Sequence, residues 1–223
     1  MRLTRRSLVY ILLLLGLALA ACNSITGTIT PTPPGDNILF TDNFSAVQPG
    51  WALFDTPEGA AYVQQGELYL EDRGRGVGIY THLVNREWNN TLINVRLRQI
   101  EGSQDNWMGV ICRQQDEENY YLFAISADGY YLILKVEGGI PTQLAGPTRD
   151  EIINTGRGSN QITARCAGQS LSLTVNDKVL ATVDDNSFET GNTALFADAV
   201  APGGRTTVAF DALVISEPEE IDE

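Results

Sequence analysis

Thr91-Leu92-Ile93-Asn94-Val95-Arg96-Leu97-Arg98-Gln99-Ile100 opens a stretch that continues through Trp107-Met108-Gly109-Val110-Ile111-Cys112-Arg113, Tyr120-Tyr121-Leu122-Phe123-Ala124-Ile125 and Tyr131-Leu132-Ile133-Leu134-Lys135-Val136. Its runs are rich in β-branched and aromatic residues and stop at Gly, Asn and Asp, as strands do. Strands are predicted at 91–100, 106–113, 119–126 and 130–137. Short connections favour a meander, so the four are expected side by side in one sheet. Alternation then sets the faces. Ile93, Val95 and Leu97 read inward, as do Met108, Val110 and Cys112, then Tyr121, Phe123 and Ile125, then Leu132, Leu134 and Val136. That phase turns Arg96, Arg98, Trp107, Ile111, Arg113, Tyr120, Tyr131, Ile133 and Lys135 outward.

The same grammar runs outward in both directions. Ile162-Thr163-Ala164-Arg165-Cys166 and Leu171-Ser172-Leu173-Thr174-Val175 alternate cleanly, which suits sheets with one face in the core. Further strands are expected near 38–44, 51–55, 61–64, 67–71, 77–82, 141–145, 160–166, 169–175, 178–183, 192–200 and 206–216. Ala127-Asp128-Gly129 and Asn176-Asp177 mark turns, and 148–154 reads as a short helical turn. No long helix and no internal repeat is evident. Many short, closely spaced strands predict an all-β, two-sheet antiparallel sandwich over 38–216, long enough for one sizeable core.

The start of the chain gives an address. Arg2, Arg5 and Arg6 precede an apolar run that ends in Leu19-Ala20-Ala21-Cys22. A basic start, a short apolar run and small residues at its end are the layout of a secretory signal. The run is short for a bilayer span, which needs about 20 apolar residues. Leu-Ala-Ala-Cys resembles a bacterial lipobox, which implies that Cys22 becomes a lipid-bearing N-terminus. Residues 1–21 are thus expected to be a signal peptide, and the protein to be exported and anchored to a membrane surface through lipid. Residues 22–37 are Thr- and Pro-rich and suit an extended tether. Residues 217–223 form an acidic tail.

The formal charge is −13, and loss of the signal removes three arginines and no acids. Nucleic-acid binding draws on clustered Lys and Arg, so it is excluded as a partner class. Acidity serves solubility outside the cell. With Cys22 assigned to lipid, Cys112 and Cys166 form an even pair in an oxidising compartment, and a disulfide is expected. Two free buried thiols are the alternative. The single His82 has no ligand-like spacing, which argues against zinc.

A family resemblance adds to this. Gly109-Val110-Ile111-Cys112-Arg113, Asp116, Asn119-Tyr120-Tyr121-Leu122-Phe123, Asp128-Gly129 and Tyr131 occur in order. Asn160-Gln161-Ile162, Val175-Asn176-Asp177-Lys178-Val179 and Val208-Ala209-Phe210-Asp211 follow. Together they resemble the concanavalin A-like lectin/glucanase jelly-roll superfamily, nearest its laminin-G-like branch named for 3-keto-disaccharide hydrolases. The resemblance covers about 40–216. It implies a jelly roll whose concave sheet or loops often hold sugar, and it leaves enzyme, lectin and inert spacer open.

Local catalytic motifs are absent. The domain lacks the Glu-x-Asp-x-x-Glu of the glucanase branch, and Gly-x-Ser-x-Gly does not occur. Glu67, Glu71 and Asp72 read as an exposed acidic edge. The constellation of interest is the outward set Arg96, Arg98, Trp107, Arg113, Tyr120, Tyr131 and Lys135. Aromatic rings cover the apolar faces of sugars, while Arg and Lys donate to hydroxyls and carboxylates. Ordinary covering of a sheet by long stems and rings is the competing account. Asp42 and Asp211 are the candidate ligands of a structural calcium if the terminal strands pair, and no other cofactor is implied. The expected function is a non-catalytic recognition domain for carbohydrate. The alternatives are a glycoside-processing hydrolase and a structural envelope lipoprotein that binds only protein.

Overall fold

A computed structural model describes residues 37–46, 50–75, 78–201 and 203–219. The signal segment 1–21, Cys22 and residues 23–36 of the tether lie outside the described residues. The described chain is all β, in two antiparallel sheets.

The strands are β1 (Ile38–Asp42), β2 (Phe54–Asp55), β3 (Gly59–Gln64), β4 (Glu67–Asp72), β5 (Ile79–His82), β6 (Thr91–Gly102), β7 (Trp107–Gln114) and β8 (Tyr120–Ile125). They continue as β9 (Tyr130–Glu137), β10 (Ile140–Arg149), β11 (Asn160–Ala167), β12 (Ser170–Val175), β13 (Lys178–Asp184), β14 (Asn192–Asp198) and β15 (Thr206–Ser216). The larger sheet runs β13-β12-β11-β6-β15-β4-β3-β2, with β1 also paired to β15. The smaller runs β10-β9-β8-β7-β14-β5. Residues 148–154 are not helical: β10 continues to Arg149 and a turn follows.

The core lies between the sheets. β6 gives it Ile93, Val95 and Leu97, and β11 gives Ile162, Ala164 and Cys166. Across from them stand Met108, Val110 and Cys112 of β7 and Tyr121, Phe123 and Ile125 of β8. These strands follow the expected alternation. Cys112 and Cys166 are disulfide-bonded, with a sequence separation of 54. The bond ties β7 of the smaller sheet to β11 of the larger. Closing a loop of that length stabilises the fold by roughly 4 kcal/mol in the chain-entropy account.

One expectation fails at Gly102. Strands 91–100 and 106–113 are not neighbours, because the chain changes sheets between them. Asn106, fully buried, holds the crossing. Its amide donates to Thr206 Oγ1 at 3.0 Å, and its carbonyl accepts from the Ala127 N–H at 2.9 Å. A buried amide satisfied from both sides fixes the corner. The meander therefore starts at β7 and runs β7-β8-β9-β10.

Candidate functional site

β7 and β8 are buried on both faces of the smaller sheet. Their apolar runs are unbroken, as expected for strands that bury both sides. The face turned away from the main core carries a second apolar cluster of Ile111, Leu122, Ala124, Leu132, Ala194 and Phe196. Tyr80, Trp107, Tyr120 and Leu134 pack against it, each only partly buried. Gly109 keeps the centre of this face low. A Cβ there would stand 2.0 Å from the Phe123 carbonyl oxygen and 2.8 Å from Ala124 Cα. The result is an apolar floor with partly buried aromatic rings around it.

Polar groups on the same face come from β14 and β5. Asp198 is opposite Trp107 in the register, and His82 is opposite Ala194. The rings of Tyr80 and His82 lie 6.2 Å apart. Burial, reinforced by the charges of Asp72 and Asp105, pushes the Asp198 carboxyl up to about 6. Burial also raises Tyr120, with Asp198 as the second cause. Tyr80 is raised by burial first, then by Glu117. Asp72 does not form a free acidic edge. It is 2% exposed, and its oxygens accept the N–H groups of Gly74 at 2.8 Å and Ala199 at 2.7 Å.

Of the seven residues expected on one face, the structure brings together two, Trp107 and Tyr120. Arg96 and Arg98 lie on the outer face of the larger sheet, because β6 belongs there. Arg96 pairs with Asp211, and Arg98 Nη2 meets Glu67 Oε2 at 2.6 Å. Tyr131 packs against the inter-sheet core, and Ile133 is part of it. β9 thus has the phase opposite to the expected one, with Leu132 and Leu134 on the outer cluster. Both parities of Tyr131–Val136 are apolar enough to face a core, so alternation did not decide between them. Lys135 consequently leaves the aromatic face. Its ammonium donates to Ser187 Oγ at 2.8 Å and pairs with Asp185 at 3.3 Å and Glu137 at 3.4 Å. Burial opposes ionisation of Asp185, but hydrogen bonds from Tyr121, Ser187 and Lys135 outweigh it and bring the carboxyl to about 2.

Arg113 is a larger departure. It sits at a positive φ of 51° where the β7–β14 register shifts, and it is 3% exposed. Its guanidinium reaches the loops at one end of the sandwich instead of the aromatic face.

The terminal strands do pair, with Asp42 opposite Leu213. Asp42 and Asp211 nonetheless do not share a cation site. Asp42 is buried and accepts from the Phe44 N–H at 2.8 Å and the Trp51 indole N–H at 2.9 Å. Asp211 turns to the outer face, toward Arg96. Among the described residues no group of three or more His, Cys, Asp or Glu side chains is arranged to hold a metal ion.

The aromatic members missed by sequence reasoning are Tyr80 and Phe196. Their signal was available in principle: Ile79-Tyr80-Thr81-His82 and Ala194-Leu195-Phe196-Ala197 are strand-like. Nothing local says that β14 pairs with β7 and β5 with β14.

No family model matches the chain, and no curated protein matches it in sequence. Solved structures do match in shape. The carbohydrate-binding module CBM66 from Bacillus subtilis superposes with a TM-score of 0.60 at 15% identity, over 75% of this chain and 96% of that one. The GH43 protein BlXynB from Bacillus licheniformis gives 0.59 at 13% identity, over 79% of this chain and 39% of that one. The binding domain of botulinum neurotoxin DC, solved with rat synaptotagmin II, gives 0.57 at 8% identity, over 83% and 49%. The fold is the concanavalin A-like jelly-roll sandwich. At such identities the likeness speaks for the fold alone.

Proposed function

We propose that this protein is an exported recognition module, tethered by lipid on Cys22, that binds carbohydrate on the outer face of its smaller sheet. The carrying observation is the aromatic set Tyr80, Trp107 and Tyr120, partly buried on an apolar floor, with Asp198 and His82 beside it. Rings of this kind stack on the apolar faces of sugars, and a few polar groups fix orientation. The fold shared with a carbohydrate-binding module is consistent with this reading. Of the two carboxylates that act on Asp198, Asp72 already serves two backbone N–H groups, and Asp105 lies in the exposed bend before β7. Recognition without cleavage is the simpler use of this face.

The test is glycan-array binding by the Trp107→Ala/Tyr120→Ala double variant, with folding confirmed by thermal melting. Binding is expected to fall at least about tenfold, since each ring is worth about 0.5–1.5 kcal/mol beyond the area it buries. A folded double variant that binds as the parent does removes the assignment. In the producing cell, the parent is expected in the membrane fraction and Cys22→Ser outside it.

A further inference from the structure

A second site lies at one end of the sandwich, away from the aromatic face. There a pocket of about 440 Å³ opens between Asn89–Asn90, the β11–β12 turn and residues 186–189. Small-molecule sites commonly span about 300–1,000 Å³. One of its walls is the guanidinium of Arg113, 3% exposed. Arg113 Nε donates to the Asn89 carbonyl at 3.0 Å. Nη1 donates to the carbonyls of Gly168 at 2.8 Å and Phe188 at 2.9 Å. Nη2 donates to Asn90 Oδ1 at 3.2 Å. All four acceptors are neutral, and Arg113 takes part in none of the ion pairs among the described residues. A guanidinium has five N–H donors. Four are engaged, and one on Nη2 is left.

A buried guanidinium with no carboxylate at ion-pair distance is under-compensated, because neutral acceptors replace only part of its lost hydration. Burial pushes the Arg113 pKa down, against the smaller raising influences of Tyr121 and of the Glu189 carboxylate. An anion entering the pocket would place a negative charge at hydrogen-bond range of the guanidinium, closer than Glu189 comes. Asn186 and Gln169 sit at the mouth with exposed amides, which donate to and accept from hydroxyl groups.

We propose that this pocket binds the carboxylate of an acidic sugar, with Arg113 providing the charge and the remaining Nη2 proton, and the amides reading the ring hydroxyls. The site is separate from the aromatic face and stands whether or not that face binds. Glu189 lines the same mouth and opposes an incoming carboxylate, so its removal tightens binding.

The test compares trigalacturonate with its carboxyl-reduced, neutral form by calorimetry on the full-length protein. The acid is expected to bind at least about tenfold tighter, as charge-assisted hydrogen bonds are the strong ones. That preference should shrink at about 0.5 M salt, where screening is strong. Glu189→Gln should strengthen acid binding about two- to threefold. Replacing Arg113 risks the fold, so the blocking variant is Gly168→Asp. Gly168 has a φ of +55°, which Asp tolerates, and a Cβ there meets nothing within 4 Å. This variant brings a carboxylate to the mouth and should abolish the preference, while Trp107→Ala should leave it intact. Equal binding of the two trimers, or binding of neither, overturns the proposal. So does a preference that survives Gly168→Asp, or one that disappears in Trp107→Ala.

Discussion

The two outer faces of the sandwich share one core but are built on opposite terms. On the larger sheet, Arg96 is held by Asp211 and Arg98 by Glu67. Asn94 donates to Thr163 Oγ1 at 2.7 Å and accepts from Gln161 at 2.8 Å, and Tyr62 stacks on Tyr69 with ring centroids 5.2 Å apart. These polar groups are answered by neighbours, which leaves them little for a partner. The smaller sheet carries few charges, and its rings lie over an apolar floor. Beside the rings, the carboxyl of Asp198 is pushed toward the neutral form by its surroundings. A high density of basic residues therefore does not by itself mark a binding surface. What counts is whether the fold has already spent them on each other.

Three perturbations sharpen this contrast. The largest effect is expected from Gly109→Val at the centre of the aromatic face. Its side chain would be driven into the backbone of β8, so unfolding free energy should drop by about 3 kcal/mol or more, read from urea denaturation. A loss under about 1 kcal/mol would mean that this floor is not tightly packed.

Asp198→Asn should act in the opposite direction and only in part of the pH range. The folded carboxyl titrates near 6, above the ordinary carboxylate value, so the folded chain holds the proton more tightly between about pH 4 and 6. Stability then falls as pH rises through that window. The variant should raise Tm at pH 7 by about 2–4 °C, the shift that about 1 kcal/mol gives in a domain of this size. It should leave Tm unchanged at pH 4. A variant equally stabilising at both values would show that the charge of Asp198 is not the cause.

The smallest effect belongs to the other face. Arg98→Ala should cost less than about 1 kcal/mol, because an ion pair at the surface, even one partly buried, contributes little. It should leave glycan binding as it was. Loss of binding in this variant would reverse the assignment of the two faces.

Much of the architecture was legible because it rests on local rules. Alternation in β11 and β12 and the inward phase of β6 follow from period-two patterning, which a sheet with one buried face enforces, whereas β7 and β8, buried on both faces, carry no such constraint. The Cys112–Cys166 bridge was legible from the even pair of cysteines left once Cys22 is set aside. The sheet assignment of β6 was not. A short connection normally means a hairpin, and only the Asn106 contacts to Thr206 and Ala127, from distant parts of the chain, reveal a corner instead. β9 was illegible for a different reason: its side chains suit a core on both parities, so the register had to come from β8. Arg113 looked like a surface base because the bulge that re-aims it leaves no mark in the sequence. The candidate site was readable only in Trp107 and Tyr120, since Tyr80 and Phe196 arrive from strands separated from β7 in sequence.

One detail of the terminal strands has a mechanical consequence. Ile38 opens β1 and Ser216 closes β15, and the two are paired, with the Glu217 N–H donating to the Asn37 carbonyl at 3.0 Å just beyond. Entry and exit of the domain are thus side by side. Tension applied across the two ends loads the outermost hydrogen bonds first and peels β1 from β15 rung by rung, like a zipper drawn open, instead of shearing many bonds at once.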